Sequence, residues 1–333
     1  MVDPPENEAW AGYAELCLFL GNEDEYRAAG TALLAKFGKT GDPLTAARTS
    51  MAWLLGKMSE DELANADGLA DRAIADKTKH PRAYPHFVVV KCLALCRLNK
   101  PTEALELLRT VPAELPGPVQ HLVRALAYHH KGQPVEARKA LAAGIAPFNW
   151  WMETAVDQDR RTHHILRREA ERLILPDLPA FLEGKYQPQD NSERLALIGA
   201  CQSGNRLELA AKLYADALAA DPKLADSLQA HHRYNAACLA VAAGCQRDEG
   251  QDHVHWRGQA LTWLREKMTA FKKAYATQPQ QIHNEFSHWL TDNDLASLRE
   301  PARLAKLPEE ERKPWTEFWS EVQATLRSVS PSK

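Results

Sequence analysis

The chain has 333 residues, of which 45% are hydrophobic and 26% are charged, a composition typical of a folded protein. Its formal net charge of −3 gives no indication of a nucleic-acid partner or of binding to an anionic membrane surface. No apolar run approaches transmembrane length, because the best candidate, FVVVKCLALC, is too short and contains Lys91.

Cysteine usage and the N-terminal sequence favour a reducing compartment. The six cysteines lie inside helical patterns among alanines and leucines, which is unlike a disulfide framework. The first ten residues, MVDPPENEAW, are acidic and interrupted by prolines, which is unlike a secretory signal. We therefore expect reduced core cysteines and a cytoplasmic protein.

Helix signals run along most of the chain. Asp42 followed by Pro43 is typical of an N-cap and a first helical position, and Ser59 with Glu62 is typical of a capping box. Apolar residues then recur at steps of three and four in EALELLRTV, EARKALAAG, ELAAKLYADALAADP and QALTWLREKMTAFKKAY. Because convincing strand alternation is missing from the sequence, we predict an all-α fold.

Two prolines mark the C-terminal helices. Pro308 precedes three glutamates, and acidic residues favour the positive end of a helix. Pro314 follows a few residues later, and a proline inside a helix costs about 3 kcal/mol. We therefore expect the final helix to begin at Pro314.

Small or polar turn residues recur at repeat-like intervals. Most of these intervals are 33 to 43 residues, and one of 72 residues is about twice a unit length. A helix–turn–helix unit of about 34 residues is the signature of tetratricopeptide repeats. The turn residues are Gly21, Gly56, Asn99, Gly132, Gly204 and Gly244.

The unit at 191–222 has the residue sizes that two antiparallel helices need. Ala210 and Ala217 are small and fit where backbones cross, whereas Tyr214 fills the space beside them. We predict an α-solenoid of about five or six tetratricopeptide-like helix pairs with a C-terminal helical cap. The predicted divisions are 1–186 for an N-terminal array, 187–279 for C-terminal pairs and 280–333 for the cap.

Four longer stretches carry a family resemblance. They are AWAGYAELCLFLGNEDEYRAAG, DQDRRTHHILRREAERLI, AAKLYADALAADPKLADSLQAHHRYNAACLAVAAG and HWLTDNDLASLREPARLAKLPEEERKPWTEFWSEV. In this order they resemble the tetratricopeptide-type C-terminal region of large planctomycete proteins, among them serine/threonine protein kinases and multi-repeat proteins. Relatives carry the region behind a kinase or other catalytic domain, whereas this chain begins with it. The resemblance implies a stand-alone gene or an excised module.

A solenoid of helix pairs presents a concave face lined by the first helix of each unit. We expect that face to bind a protein or peptide partner. Arg97 is a candidate for pairing with a carboxylate, and Asn235 for bonding a peptide backbone. By their positions in the units, the candidate partner-binding residues are His86, Arg97, His129, Tyr234 and Asn235. Packing against the next unit is the alternative role for each of them.

Metal and catalytic sites are the alternatives to this interpretation. His231, Cys238 and Cys245 are spaced by seven residues, which on a helix is roughly 10 Å and too far to share one zinc ion. A smaller site of Cys245, His253 and His255 in the loop at 245–256 stays open as a metal-assisted enzyme alternative. Cys92 with Cys96 is read as core, and Trp150 with Trp151 either as partly buried or as an exposed platform.

Sequence motifs of common enzymes are also missing. The sequence contains no HExxH, glycine-rich phosphate loop or GxSxG elbow. We therefore expect a non-catalytic interaction scaffold with no catalytic residues, no cofactor and no metal.

Overall fold

The computed structural model describes residues 6–112, 115–145, 150, 158–226, 231–245 and 252–329. Over these residues every regular secondary-structure element is a helix, which confirms the all-α prediction. The chain divides into unit 1, Met1–Ala196, and unit 2, Leu197–Lys333. The predicted divisions at 186 and 279 stay predictions.

Unit 1 contains ten helices over its described residues and the first part of an eleventh. They are α1 (Asn7–Phe19), α2 (Glu23–Phe37), α3 (Pro43–Leu54), α4 (Glu60–Ile74), α5 (Tyr84–Arg97), α6 (Pro101–Leu108), α7 (Val119–His130), α8 (Pro134–Ile145), α9 (Gln158–Ile174), α10 (Leu178–Leu182) and α11 (Asn191–Ser203).

The predicted helix starts are confirmed at α3 and α4. The Asp42 carboxylate accepts a hydrogen bond of 2.8 Å from the backbone N–H of Thr45, and Pro43 takes the first helical position. At α4 the Ser59 hydroxyl accepts from the N–H of Glu62, and the Glu62 carboxylate accepts from the N–H of Ser59. These bonds satisfy N–H groups that have no partner inside the helix.

Each predicted turn residue either follows the first helix of a pair or is the last residue of that helix. Gly21, Asn99 and Gly132 have φ values of 81°, 56° and 71°, a left-handed conformation that glycine and asparagine adopt most readily. After α11 the left-handed residue is Asn205 at 55° rather than its neighbour Gly204.

The odd-numbered helices of unit 1 form a closed ring. Helices α1, α3, α5 and α7 each pack against the next odd-numbered helix, and α9 packs against both α7 and α1. The even-numbered helices α2, α4, α6 and α8 pack against their neighbours in the chain. The odd-numbered helices therefore surround a shared space, and we call them the inner helices.

Glycines allow the closest approaches in this array. A Cβ atom at Gly30 would lie 1.4 Å from the ring of Trp53, and one at Gly56 would lie 2.1 Å from the ring of Tyr26. The Tyr26 hydroxyl donates to the carbonyl of Trp53 at 2.7 Å and accepts from the N–H of Gly56 at 2.9 Å. Small residues thus let aromatic rings fill the space between α2 and α3.

Unit 2 contains the end of α11 and further helices over its described residues. Helix α14 packs against α12 and α15, and α18 packs against α15 and α16. A cluster of buried aromatic rings, among them Phe286, Trp289, Trp315 and Phe318, joins α16 and α18. The elements are α12 (Leu207–Ala220), α13 (Pro222–Asp226), α14 (His232–Gly244), α15 (Asp252–Ala274), α16 (Pro279–Thr291), a 3-10 helix (Asn293–Leu298), α17 (Pro301–Leu304) and α18 (Glu309–Val329).

The prediction for the last helix is wrong. Helix α18 begins at Glu309 and runs through Pro314 instead of starting there. Proline removes one backbone hydrogen bond, but Trp315, Phe318 and Trp319 are buried on the following turns. Burying large side chains contributes about 1.5–3 kcal/mol each, which outweighs the cost of the proline.

No helix in the described part of the chain is both long enough and apolar enough to cross a membrane.

Candidate functional site

A cavity of about 1190 Å³ lies inside the ring of unit 1. Its wall comes from residues of all five inner helices, together with the segment that leads into α7. The cavity therefore exists because α9 packs against α1 and closes the ring. A pocket of this size is large enough for a small ligand or a short peptide segment.

One side of the cavity wall is mainly apolar. Helices α3 and α5 contribute Met51, Phe87, Val89 and Val90 to it. Apolar ligand groups would gain about 25 cal/mol for each Å² of surface that this wall removes from water.

The part of the wall from α1 and α9 carries buried polar groups. Glu15 projects from α1, and Gln158, Arg161 and Thr162 come from α9. Glu15 is only 2% exposed and Arg161 only 7% exposed. Buried polar groups of this kind fix a ligand's orientation in otherwise apolar pockets.

Gly12 allows α1 and α9 to approach each other closely. A Cβ atom at Gly12 would lie 3.3 Å from the Arg161 guanidinium and 3.4 Å from Oε1 of Gln158. The Arg161 guanidinium donates a hydrogen bond of 3.3 Å to the carbonyl oxygen of Gly12. This contact joins residues 149 positions apart in the chain.

Burial raises the pKa of Glu15 to about 8. Interactions with Gln158, Arg161 and Thr162 act in the opposite direction, but they are smaller than the cost of removing the charge from water. Oε2 of Glu15 has no hydrogen-bond partner among the described residues. Glu15 is therefore a mainly neutral carboxylic acid at pH 7, and its Oε2 atom is buried.

With this geometry established, the chain was compared with known proteins. A scan against protein-family models, a search of the curated proteins and a search of the solved structures found no match. The cavity is therefore a candidate site by its geometry and chemistry.

Of the five predicted partner-binding residues, His86 is the one that lines this cavity. Arg97 pairs with Glu169 of α9 and donates to the carbonyl of Leu54 at 3.0 Å. His129 stacks edge-on against His130, with 5.7 Å between the ring centroids.

The other two predicted residues lie in unit 2. The Tyr234 hydroxyl donates to the Asp292 carboxylate at 2.6 Å, and its ring stacks on Trp289. The side chain of Asn235 hydrogen-bonds the hydroxyl of Tyr214. The structure thus gives packing and hydrogen-bonding partners within unit 2 to both residues.

The proposed metal loop lies partly outside the described residues, because 246–251 are among those not described. His253 and His255 belong to the first turn of α15. Burial raises the thiol pKa of Cys245 to about 11, so this thiol is neutral at pH 7.

The structure brings together one metal-like cluster within its described part. Cys238, Asp292 and Asp294 offer ligand atoms within 4.8 Å of one another. Both Asp292 carboxylate oxygens already accept hydrogen bonds, from the Tyr234 hydroxyl and from the N–H of Asp294. Asp292 thus serves as the N-cap of the 3-10 helix, and this role explains its position without a bound ion.

The remaining candidate site residues from the sequence are either buried in the core or outside the described residues. Cys92 and Cys96 are buried, and burial raises the pKa of each thiol to about 12. Trp150 is buried, and its indole N–H donates to the carbonyl of Ile145 at 3.0 Å. Trp151 lies outside the described residues.

The sequence did not lead us to predict the polar part of the cavity wall. Glu15 is the one acidic residue in the apolar run YAELCLFL, which is the signal that could have indicated it. Arg161 and Thr162 carry no comparable signal, because α9 is polar over most of its length.

Proposed function

We propose that the protein is a non-catalytic binding module built from tetratricopeptide-like helix pairs. In this proposal the helix pairs of unit 1 form an α-solenoid that α9 closes on α1, and a peptide segment of a partner protein enters the cavity. The observation that carries the proposal is the cavity of about 1190 Å³ walled by all five inner helices. The family resemblance adds the proposal that the module regulates a kinase polypeptide.

The composition of the wall supports a peptide as the ligand. A peptide carries apolar side chains, which suit Phe87 and Val90, and backbone amides, which suit Gln158 and Thr162.

An enzyme is the second candidate function. The observation that favours it is Glu15, because a buried carboxylic acid with a raised pKa in a cavity is typical of general acids. The same peptide experiment separates the two functions, since an enzyme would alter a bound peptide and a binding module would release it unchanged.

The test is selection of displayed random peptides on the full-length chain. Met51→Trp places a large ring in the cavity, since Met51 lines it. Val135→Trp is the matched control, because Val135 is 42% exposed on α8 and is absent from the cavity wall. Both variants are first checked for unchanged helicity and thermal unfolding.

We expect peptides that bind the wild type and Val135→Trp but lose at least tenfold in affinity for Met51→Trp. Selected peptides should be recovered intact after incubation, as mass spectrometry will show. Failure to select any peptide, or equal binding to Met51→Trp, would overturn the proposal. Cleavage or modification of the peptide would favour the enzyme instead.

A further inference from the structure

A second pocket of unit 1 lies between α6 and α7 and has a volume of about 490 Å³. Its wall residues recur at steps of three or four positions, so they share one face of each of the two helices. The polar wall residues are Thr102, Glu106 and Arg109 on the α6 side and Arg124, Tyr128 and Lys131 on the α7 side. None of the wall residues belongs to the larger cavity, so the two sites are separate.

Arg124 is a half-buried cation without an anionic partner in the described part of the chain. Other half-buried arginines of unit 1 have such partners. Arg48 pairs with Glu8 at 3.4 Å. Arg138 pairs with Asp190 at 2.8 Å. The guanidinium nitrogens of Arg124 are accessible, since none of them is among the buried nitrogens that lack a hydrogen bond, and a ligand anion can therefore reach them.

The charges of the second pocket do not balance. Arg109 and Lys131 are exposed and, like Arg124, form no ion pair with any described residue. Two carboxylates also line the pocket, but Glu136 is already paired with Lys139 at 2.8 Å. Only Glu106 then stands against the three cations, which leaves a surplus of two positive charges.

We propose that the second pocket binds a phosphate dianion, either free phosphate or the phosphate group of a monoester. A phosphate monoester carries a charge of about −1.5 to −2 at pH 7, which matches the surplus of the pocket. A carboxylate carries one negative charge and would leave part of the surplus without compensation. The proposal goes beyond the peptide-binding function, because it concerns a different pocket.

The donors of the wall suit phosphate oxygens. Arginine binds phosphate through two parallel N–H···O bonds, and two arginines line this pocket. The ammonium group of Lys131 and the hydroxyl groups of Thr102 and Tyr128 are further donors. The buried side chain of Leu105 adds an apolar surface, which suits the carbon part of an ester.

The experiment measures binding of small probes to the full-length chain by ligand-observed NMR. Phenyl phosphate and phenyl sulfate have nearly the same shape but carry about two negative charges and one at pH 8, because the second pKa of a phosphate monoester is about 6. Inorganic phosphate and phosphoserine with blocked termini distinguish free phosphate from a phosphorylated side chain as the source.

Four variants test the wall. Arg124→Met and Arg109→Gln each remove a cation, and Glu106→Gln removes the uncompensated carboxylate. Arg82→Gln is the control, because Arg82 is an exposed cation of unit 1 outside the pocket wall. Helicity and thermal unfolding of each variant are checked first. Arg109→Gln changes an exposed position, so the test does not depend on the folding of Arg124→Met.

We expect phenyl phosphate to bind the wild type about tenfold more tightly than phenyl sulfate, and Arg124→Met and Arg109→Gln each to weaken this binding about tenfold, because each removes a charged hydrogen bond. Glu106→Gln should strengthen binding, since it removes a repelling charge, and Arg82→Gln should leave it unchanged. Tighter binding of blocked phosphoserine than of inorganic phosphate identifies a phosphorylated side chain as the ligand, and the reverse order identifies free phosphate.

Equal binding of phenyl phosphate and phenyl sulfate, unchanged binding by both cation variants, or no binding of any probe at millimolar concentration would overturn the proposal. Failure of the peptide-binding function is recognised separately. Met51→Trp fills the larger cavity and should leave phosphate binding unchanged, since Met51 is absent from the wall of the second pocket.

Discussion

Arg97 on α5 and Glu169 on α9 form a two-point ion pair across unit 1. Both terminal guanidinium nitrogens bond the carboxylate, one of them at 2.6 Å, and the two side chains are only 14% and 16% exposed. The Nε of Arg97 donates to the carbonyl of Leu54 at the end of α3. One side chain thus connects three of the five inner helices, and the chain itself supplies the carboxylate that the sequence led us to expect from a partner.

Replacement of Arg97 should therefore act on stability. We expect Arg97→Met to lower the free energy of unfolding by about 3 kcal/mol, because it leaves a mostly buried carboxylate without its cation. The double variant Arg97→Met/Glu169→Leu should recover part of the loss. Urea denaturation measures both, and Lys185→Ala is the control, since Lys185 pairs with Glu183 on the exposed surface at 73% and 60% exposure. A loss for Lys185→Ala as large as for Arg97→Met would contradict the prediction.

Glu15 should make stability depend on pH. Its pKa is about 8 in the folded chain against an ordinary value of 4.5, so the folded state binds more protons between these values. Stability from this group is fully present below pH 4.5 and falls by about 1.4 kcal/mol per pH unit towards pH 8. Comparison of wild type with Glu15→Gln by urea denaturation at several pH values isolates the effect. A constant difference between the two proteins across this range would show that the Glu15 pKa is not raised.

Two helical glycines should respond oppositely to alanine. Gly30→Ala would place a Cβ atom 1.4 Å from the ring of Trp53, so we expect a loss of about 3 kcal/mol or more. Gly68→Ala meets only the end of the Arg72 side chain at 3.9 Å and should raise stability by about 0.5–1 kcal/mol. Thermal unfolding of the two variants beside the wild type tests the pair, and similar melting temperatures for both would contradict the packing of α2 on α3.

The thiols should resist modification in the folded chain. Cys17, Cys92, Cys96, Cys201 and Cys238 are buried, and burial raises the pKa of Cys92 and Cys96 to about 12. A thiol reagent at pH 8 should therefore react slowly with the native protein and rapidly with all six cysteines in denaturant. Rapid reaction of two or more thiols in the native protein would contradict this burial.

Much of the local structure was predictable because helix signals act over a few residues. Asp42 and Ser59 cap the helices that the sequence assigned to them, and the left-handed turns at Gly21, Asn99 and Gly132 lie where the repeat intervals placed them. At Pro314 the local rule failed, because the aromatic packing of α18 contributes more than the proline costs.

The sequence by itself determined the all-α class, the caps at Asp42 and Ser59 and several of the turns, since each depends on neighbours a few positions apart. Only the tertiary structure decided that α9 packs against α1 and that a cavity lies among the inner helices. It also decided that Glu15 faces Arg161 and that Glu169 takes Arg97. These pairs join distant parts of the chain, and no local sequence pattern predicts which buried ionisable side chains will meet when the helices pack.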